Sequence, residues 1–267
     1  MNIALQTRLP ALSEYYSETK CVWCDGCGNY GIWTAVKYAL VELNLHPWQV
    51  CLCYDVGCHG NGSDKIEGYR FHGLHGRVIP FAAGAKLANM KVPVIAFGGD
   101  GATFSEGIGH LVHGVRSNYP ITFVLHNNTN YGLTTGQASS LTPQGQPMNT
   151  SPNGIPEHTL ASMDLIFSLN PTFVARGFSG DIKLMTRILK ATIQHRGFPS
   201  SRCSRRARHT ITSRRTNICW IGTSMQMPMV TTQAIRSRRR RSLRRFRIAS
   251  PAAFSINAKT FRTSITG

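Results

Sequence analysis

The sequence predicts an α/β fold in which a parallel β-sheet carries helices on both of its faces. Three observations lead to this prediction. Short apolar segments of strand length alternate with helical patterns of ten or more residues. The first three apolar segments each end in glycine or polar side chains, as strands do where a ligand binds. No apolar run approaches the roughly 18 residues that a membrane span requires.

The individual elements follow from hydrophobic periodicity. Apolar side chains at helical spacing, such as Ile32, Val36 and Leu40, indicate helices, and short apolar runs indicate buried strands. The predicted helices cover residues 30–43, 78–89, 106–117 and 182–194. The predicted strands cover residues 49–54, 92–97, 121–126 and 172–175. The polar stretch 134–156 lacks periodicity, so we predict that it is a long functional loop.

Charge is distributed unevenly along the 267 residues, whose formal net charge is +18. Residues 200–267 hold 16 of the 30 Lys and Arg and none of the 12 Asp and Glu. The part before them therefore has the composition of an ordinary globular domain, long enough for one good core. We predict an N-terminal extension at residues 1–19, a domain at residues 20–199, and a basic tail that is irregular or disordered at residues 200–267.

The eight Cys and the N-terminal residues indicate the cellular compartment of the protein. The N-terminus lacks the basic stretch, apolar core and cleavage site of a secretory signal. We therefore expect a cytoplasmic protein, whose Cys bind metal or remain reduced thiols instead of forming disulfides. Cys51 and Cys53 lie in an apolar predicted strand, where we predict that they serve packing.

Two predicted strand ends carry a candidate site for Mg²⁺ and a diphosphate. Residues 98–101 read Gly-Gly-Asp-Gly, and Asn127 and Asn128 end the next strand, Asn128 lying 28 residues beyond Asp100. Mg²⁺ prefers oxygen ligands, and glycines let backbone approach phosphates closely. A Gly-Asp-Gly triplet alone is typical of a tight turn, but the paired Asn has the spacing of the thiamine-diphosphate fingerprint. By resemblance to proteins with that fingerprint, Asp100, Asn128 and Asn130 are the predicted Mg²⁺ ligands.

A second candidate site consists of cysteines. Cys24 and Cys27 form a C-x-x-C pair, and Cys58 follows the next predicted strand. Two thiolates at this spacing can bind one metal ion or two irons of one cluster. The pair alone is equally compatible with zinc, a thioredoxin-type redox pair or free thiols. Cys21 lies close enough in sequence to remain a candidate ligand.

Six motifs together resemble the β subunits of 2-oxoacid:ferredoxin oxidoreductases, in which they occur in the same order. The resemblance covers about residues 20–199. The motifs are WCDGCGN at 23–29, FHGLHGR at 71–77, GAKLAN at 84–89, GGDG at 98–101, NYGLTTGQ at 130–137 and FVARGFSGD at 173–181. The resemblance implies that residues 20–199 form a thiamine-diphosphate-binding domain of the pyrophosphate type.

The same resemblance implies which residues hold the cofactors. Cys24, Cys27 and Cys58 are the implied protein ligands of a [4Fe-4S] cluster, and His75 is the implied catalytic residue facing the thiamine. The implied contacts with thiamine diphosphate are Val56, Gly57, Cys58, His59, His75, Gly76, Arg77, Val78, Gly101, Ala102, Gly132, Leu133 and Thr134.

The implied activity is the oxidative decarboxylation of a 2-oxoacid to acyl-coenzyme A and CO₂, with electrons passed through the cluster to ferredoxin. A chain of this length holds one thiamine domain, so an α subunit is the implied partner in a heterodimer. The loop at residues 133–137 favours 2-oxoglutarate over pyruvate, although Thr135 stands where many relatives carry Lys. We expect neither a membrane nor a specific nucleic acid among the partners.

The segment after Pro199 departs from the family pattern. The family places its fourth cluster ligand there, in a segment resembling Leu-Gln-x-Cys-Pro-Thr-Tyr-Asn, whereas this chain is rich in Arg. Codon choices exist with which a one-base shift across residues 202–211 spells Val-Leu-Gln-Ala-Cys-Pro-Thr-Tyr-Asn. Our hypothesis is a frameshift near Pro199, which leaves residues 200–267 without an evolved function and the cluster without its fourth family ligand.

Two other functions stay open at this point. A non-oxidative thiamine-diphosphate enzyme, a decarboxylase or synthase, needs no cluster, but it normally carries both thiamine domains on one long chain. A basic nucleic-acid-binding protein is the other alternative. It depends on residues 200–267 alone, whose Lys and Arg can neutralise phosphates.

Overall fold

A six-stranded parallel sheet organises the part of the chain that the computed structural model describes, residues 8–195 and 217–222. The strands are β1 (Cys51–Tyr54), β2 (Tyr69–His72), β3 (Val94–Gly99), β4 (Thr122–Asn127), β5 (Asn130–Tyr131), β6 (Gln137–Ala138), β7 (Phe173–Phe178) and β8 (Asn217–Gly222). The sheet order is β2-β1-β3-β4-β8-β7, and every neighbouring pair is parallel. The short strands β5 and β6 form a separate antiparallel hairpin. The predicted parallel sheet is confirmed.

Five α-helices accompany the sheet in the described residues. They are α1 (Gly28–Glu42), α2 (Val78–Ala88), α3 (Ile108–Ser117), α4 (Ser162–Ser168) and α5 (Ile182–Gln194). The last of them has the predicted bounds. A turn of π-helix, Gly101–Glu106, precedes α3. Within the same residues, none of the helices has both the length and the apolar character that crossing a membrane demands.

The helices pack in pairs, α1 with α5 and α2 with α3. Strand side chains alternate between the two faces of the sheet. Leu52, Ile95 and Phe97 belong to the apolar core that α1 and α5 cover. Cys51 and Cys53 of β1 are also buried but project to the other face, with their sulfurs 3.7 Å apart. Their burial as free cysteines agrees with the predicted packing role.

Two strands differ from the prediction. All four residues of β2 are exposed, so this edge strand carries no apolar run that periodicity could detect. The strand β8 falls within the tail that was predicted to be irregular or disordered, and for these six residues that prediction is wrong. The backbone of β8 pairs with both β4 and β7. Residues 218–221 read Ile-Cys-Trp-Ile, a strand-forming run that the charge of the surrounding segment obscured.

Other predictions for the C-terminal segment fall on positions outside the described residues. These include the frameshift near Pro199, the basic arm as a nucleic-acid-binding element, and the domain boundary at residue 200. They stay predictions.

Candidate functional site

A cavity of about 410 Å³ opens where β1, β3 and β4 end, beside the turn that precedes α1. Carboxyl ends of parallel strands are the usual place for ligands in such folds. The cavity brings together most of the predicted site residues. Those lining it are Cys24, Cys27, Val56, Gly57, Cys58, His59, His75, Asp100, Gly101, Ala102, Asn128, Asn130, Gly132, Leu133 and Thr134. Gly76, Arg77 and Val78 lie at the start of α2 and are not part of the lining.

Asp100 is buried at the end of β3 and accepts several hydrogen bonds. The hydroxyl of Ser139 donates to its Oδ2. The backbone N–H of Asn128 donates to Oδ1 at 3.4 Å. The Asn128 amide fits its surroundings with the nitrogen toward Asp100, where it donates to Oδ1 at 3.0 Å. Burial raises the pKa of Asp100 to about 6, although the bonds from Ser139 and Asn128 oppose the rise. A bound cation would stabilise this buried carboxylate in its charged form.

Two glycines beside Asp100 let neighbouring groups lie close to the backbone. A Cβ built on Gly101 would lie 2.5 Å from Cε1 of Tyr131, so only glycine allows that ring to lie against the turn. A Cβ on Gly132 would lie 3.2 Å from the side-chain amide of Asn128 and 3.6 Å from Sγ of Cys58. Both glycines line the cavity, where the lack of a Cβ lets neighbouring groups come close to the backbone. This cradle, together with the oxygen-bearing side chains beside it, fits a diphosphate and its Mg²⁺ ion.

The three predicted cluster ligands reach the same cavity from two turns. The indole Nε1 of Trp23 donates to the carbonyl of Cys58 at 2.6 Å, which ties the turns together. Cys24 is exposed, whereas Cys27 and Cys58 are half-buried. Burial raises the pKa of Cys58, and the nearby thiolates of Cys27 and Cys24 raise it further. Cys21 does not line the cavity. The described residues thus bring three thiols, and not four, to this site.

Two histidines, the buried His59 and the half-buried His126, line the cavity, and the sequence predicted only His59. His59 was a predicted contact, whereas His126, at the end of β4, was missed. Nδ1 of His126 lies 3.0 Å from Oδ1 of Asn29, and the rings of His59 and His126 have centroids 5.2 Å apart. Burial lowers the pKa of His126 to about 3 and that of His59 well below its usual range. Both rings are therefore neutral at physiological pH.

Asp55 is another residue that the sequence analysis missed. It is buried directly after β1, and its Oδ1 accepts from the backbone N–H groups of Val56 and Gly76, both at 2.8 Å. Burial raises the pKa of Asp55, and these two bonds oppose the rise. One side chain thus joins the turn after β1 to the turn that carries His75. This contact explains why Gly76, which does not line the cavity, still affects its shape.

Sequence signals existed for some of the missed residues. Asp55 and His126 occupy the same strand-end positions that identified Asp100 and Asn128. Ser139 lies in the predicted functional loop, but its contact with Asp100 joins residues 39 positions apart. Only the tertiary fold could reveal that contact.

The chain matches the family described as "Thiamine pyrophosphate enzyme, C-terminal TPP binding domain" over residues 55–198, which is more than half of its length. The chain belongs to the thiamine pyrophosphate enzymes. The matched range contains Asp100, Asn128 and Asn130, and it ends just before the basic tail. The cavity therefore lies largely within a thiamine-pyrophosphate-binding domain, with the cysteine turn contributed from outside the matched range.

Relatives within the thiamine pyrophosphate enzymes confirm the narrower resemblance. The β subunit of 2-oxoacid:ferredoxin oxidoreductase from Saccharolobus solfataricus is 41% identical over 177 residues, covering 66% of this chain and 58% of that subunit. The KorB subunit of 2-oxoglutarate oxidoreductase from Mycobacterium tuberculosis is 35% identical over 184 residues, covering 69% of this chain and 49% of that subunit. The chain thus spans between half and three fifths of the length of these relatives.

A solved structure resembles most of this chain. It is the 2-oxoglutarate:ferredoxin oxidoreductase from Magnetococcus marinus, with 2-oxoglutarate, coenzyme A and succinyl-CoA bound. The TM-score is 0.70 at 30% sequence identity, and the match covers 79% of this chain and 66% of that chain. The predicted thiamine-binding fold is confirmed.

Proposed function

We propose that the chain is the β subunit of a cytoplasmic 2-oxoacid:ferredoxin oxidoreductase, active with an α subunit as its partner. The proposed reaction is the oxidative decarboxylation of a 2-oxoacid to acyl-coenzyme A and CO₂, with the electrons passed to ferredoxin. One observation carries the proposal. A buried carboxylate, Asp100, meets Asn128 and Asn130 from the adjacent strand end beside a glycine-lined cavity.

The proposed roles of the residues follow from their chemistry. Thiamine diphosphate, when bound, supplies the carbon chemistry of the decarboxylation. Asp100, Asn128 and Asn130 would hold Mg²⁺ because they offer oxygen ligands at one cavity: a carboxylate, a side-chain amide and, at Asn130, a backbone carbonyl. Gly101 and Gly132 line the cavity without a side chain, so the diphosphate would approach their backbone closely. The half-enclosed cavity limits the access of water to the reacting atoms.

Cys24, Cys27 and Cys58 would hold an iron–sulfur centre, which supplies one-electron transfer to ferredoxin when bound. Thiolates are the protein ligands of such clusters, and these three line one cavity with the proposed diphosphate site. The sulfur of Cys58 lies close to Gly132, so the proposed electron acceptor and the proposed cofactor are neighbours. This proximity favours the oxidative reaction over a non-oxidative thiamine reaction, which needs no thiol ligands.

We propose 2-oxoglutarate as the preferred 2-oxoacid. The solved relative contains 2-oxoglutarate, and the Mycobacterium tuberculosis relative is named for it. Leu133 and Thr134 line the cavity, and the hydroxyl of Thr134 donates to Oε1 of Gln137, which fixes the loop. Rates of ferredoxin reduction with 2-oxoglutarate and with pyruvate test this preference, and a higher kcat/KM for pyruvate would contradict it.

Calorimetric titration with thiamine diphosphate and Mg²⁺ tests the cofactor site in the full chain assembled with its α subunit. We expect Asp100→Asn to weaken binding by about 100-fold or more, because the variant removes the charge that faces the metal. Asp164→Asn, on the exposed surface of α4, is the matched control and leaves binding unchanged. Binding by Asp100→Asn that is as tight as in the parent would refute the proposed site.

A further inference from the structure

Glu106 contacts two rings that line the cavity, those of His75 and Tyr131. Its Oε1 lies 3.0 Å from Nδ1 of His75 and accepts a hydrogen bond from the Tyr131 hydroxyl at 3.3 Å. Glu106 also ends the turn of π-helix that begins directly after Asp100. Such turns are rare and occur frequently at functional sites. The turn therefore connects the proposed metal ligand with this carboxylate in six residues.

The backbone, and not only the contact between the two side chains, holds Glu106 beside His75. Nη1 of Arg77 donates to the carbonyl of Glu106 at 3.2 Å. Gly76, directly after His75, has a φ of +70°, and a Cβ there would lie 2.9 Å from Cβ of Glu106. The loop and the π-helical turn can approach this closely because residue 76 is glycine. The Arg77 hydrogen bond and the close approach at Gly76 thus both hold the backbone of Glu106 near His75.

We propose that Glu106 is a positioning residue for His75, fixing that imidazole in the tautomer whose Nδ1 carries the proton. The proposal deepens the proposed function and rests on it, because it assigns a role within the cavity that would hold thiamine diphosphate. Glu106 itself does not line the cavity, so it acts through His75 and Tyr131.

The hydrogen-bond donors and acceptors of the two groups determine which nitrogen of His75 carries the proton. A neutral imidazole has one N–H donor and one lone-pair acceptor, and an ionised carboxylate only accepts. Facing the carboxylate, Nδ1 must be the donor, so Nε2 of His75 becomes the acceptor available to a ligand. The Tyr131 hydroxyl donates to the same oxygen of Glu106, so the carboxylate cannot turn away without losing both contacts.

Stability is a poor test, because His75 and Glu106 are one third and two fifths exposed. Exposed ion pairs contribute about 0–1 kcal/mol, whatever their function. The tautomer of His75 is the direct readout. We therefore choose nitrogen NMR of the full chain labelled with ¹⁵N-histidine, with the His75 signals assigned by their loss in His75→Asn.

In the parent, we expect His75 to show the tautomer protonated at Nδ1. Glu106→Leu, which cannot accept a hydrogen bond, shifts His75 toward the tautomer protonated at Nε2. Glu106→Gln retains the parent tautomer, because its amide oxygen still accepts. Glu157→Leu, in an exposed loop, is the matched control and changes nothing. A parent His75 protonated at Nε2, or a tautomer unaffected by Glu106→Leu, would overturn the proposal.

Kinetics of the complex with the α subunit provide the second readout. We expect Glu106→Leu to lower kcat by about 10-fold or more while the dissociation constant of thiamine diphosphate stays within about 2-fold, and Glu106→Gln to restore most of the kcat. Equal losses in Glu106→Leu and Glu106→Gln would indicate a merely structural effect and overturn the proposal. Failure of the parent complex to bind thiamine diphosphate would instead refute the proposed function, and the NMR result would still decide the tautomer.

Discussion

The two sides of the cavity differ in how completely folding alone organises them. On the oxygen side, Asp100 is 1% exposed and bonded to both Ser139 and Asn128. On the thiol side, Cys24 is exposed and Cys58 half-buried, and both are free. Within residues 8–195 and 217–222, no three or more His, Cys, Asp or Glu are arranged to hold a metal ion. The fold therefore forms the oxygen ligands in advance, whereas thiol ligands would take their final arrangement only with metal.

The largest expected effect is that one cofactor binds fully while the other does not. We expect the full chain, purified without oxygen and assembled with its α subunit, to bind thiamine diphosphate but to hold iron below the four atoms of a complete cluster. The reason is that such clusters use four thiolates, and the described residues bring three to the cavity. Iron and labile sulfide analysis measures the content.

Two cysteine variants sharpen this result. Cys58→Ser should remove the remaining iron, whereas Cys51→Ser, on the opposite side of the sheet from the apolar α1 core and outside the cavity, should not. Four stably bound irons per chain would contradict the proposed difference between the two sides. The thiol side would then hold a full set of cluster ligands, as the oxygen side holds its own ligands.

The second prediction concerns the organisation of the oxygen side. Asp55→Ala leaves the buried N–H group of Gly76 and the half-buried N–H group of Val56 without their acceptor. We expect a loss of about 2–3 kcal/mol in the free energy of unfolding. Asp55→Asn keeps an accepting oxygen and should lose clearly less. Urea denaturation of the parent and both variants measures the difference, and a loss below about 0.5 kcal/mol in Asp55→Ala would show that the two turns are held by other contacts.

The same contrast explains how far the sequence could predict the molecule. Hydrophobic periodicity located helix α5 with its observed bounds, because an amphipathic pattern reports burial directly. It could not locate β2, whose side chains are exposed on an edge strand, or β8, whose apolar run is embedded in a basic segment. Pairing partners supplied by the fold make β2 a strand, whereas the strand-forming run of β8 was obscured by the basic residues around it.

The candidate site shows the same division. Asp100 and Asn128 were predictable, because strand ends in a parallel sheet converge and their side-chain types suit Mg²⁺. Ser139 and Glu106 were not predicted as site residues, because their contacts join distant parts of the sequence. Ser139 bonds to Asp100, 39 positions away, and Glu106 contacts His75, 31 positions away. Motif resemblance grouped Gly76 with the cofactor contacts, whereas its N–H group is directed to Asp55. Residues whose role is to position other residues carry no sequence motif by which they could be recognised.

The smallest prediction concerns Lys37, which is buried in α1 and does not line the cavity. Its Nζ lies 2.9 Å from the centroid of the Trp33 ring and 3.6 Å from that of Tyr16. Burial lowers the pKa of Lys37 from 10.5 to about 8, and the Cys21 thiolate opposes this shift. Between pH 8 and 10.5 the unfolded chain therefore binds more protons at this residue than the folded chain. Its contribution to stability must rise with pH across that window.

Lys37→Met isolates this contribution, because its side chain is unbranched and cannot ionise. The parent should gain stability relative to the variant as the pH rises from 8 to 10.5, with a slope of at most about 1.4 kcal/mol per pH unit. Denaturation midpoints across this range provide the measurement. A difference between the two proteins that stays constant with pH would mean that the two aromatic rings stabilise the ammonium enough to offset its burial. The fold would then accommodate the buried charge of Lys37 as fully as it accommodates Asp100.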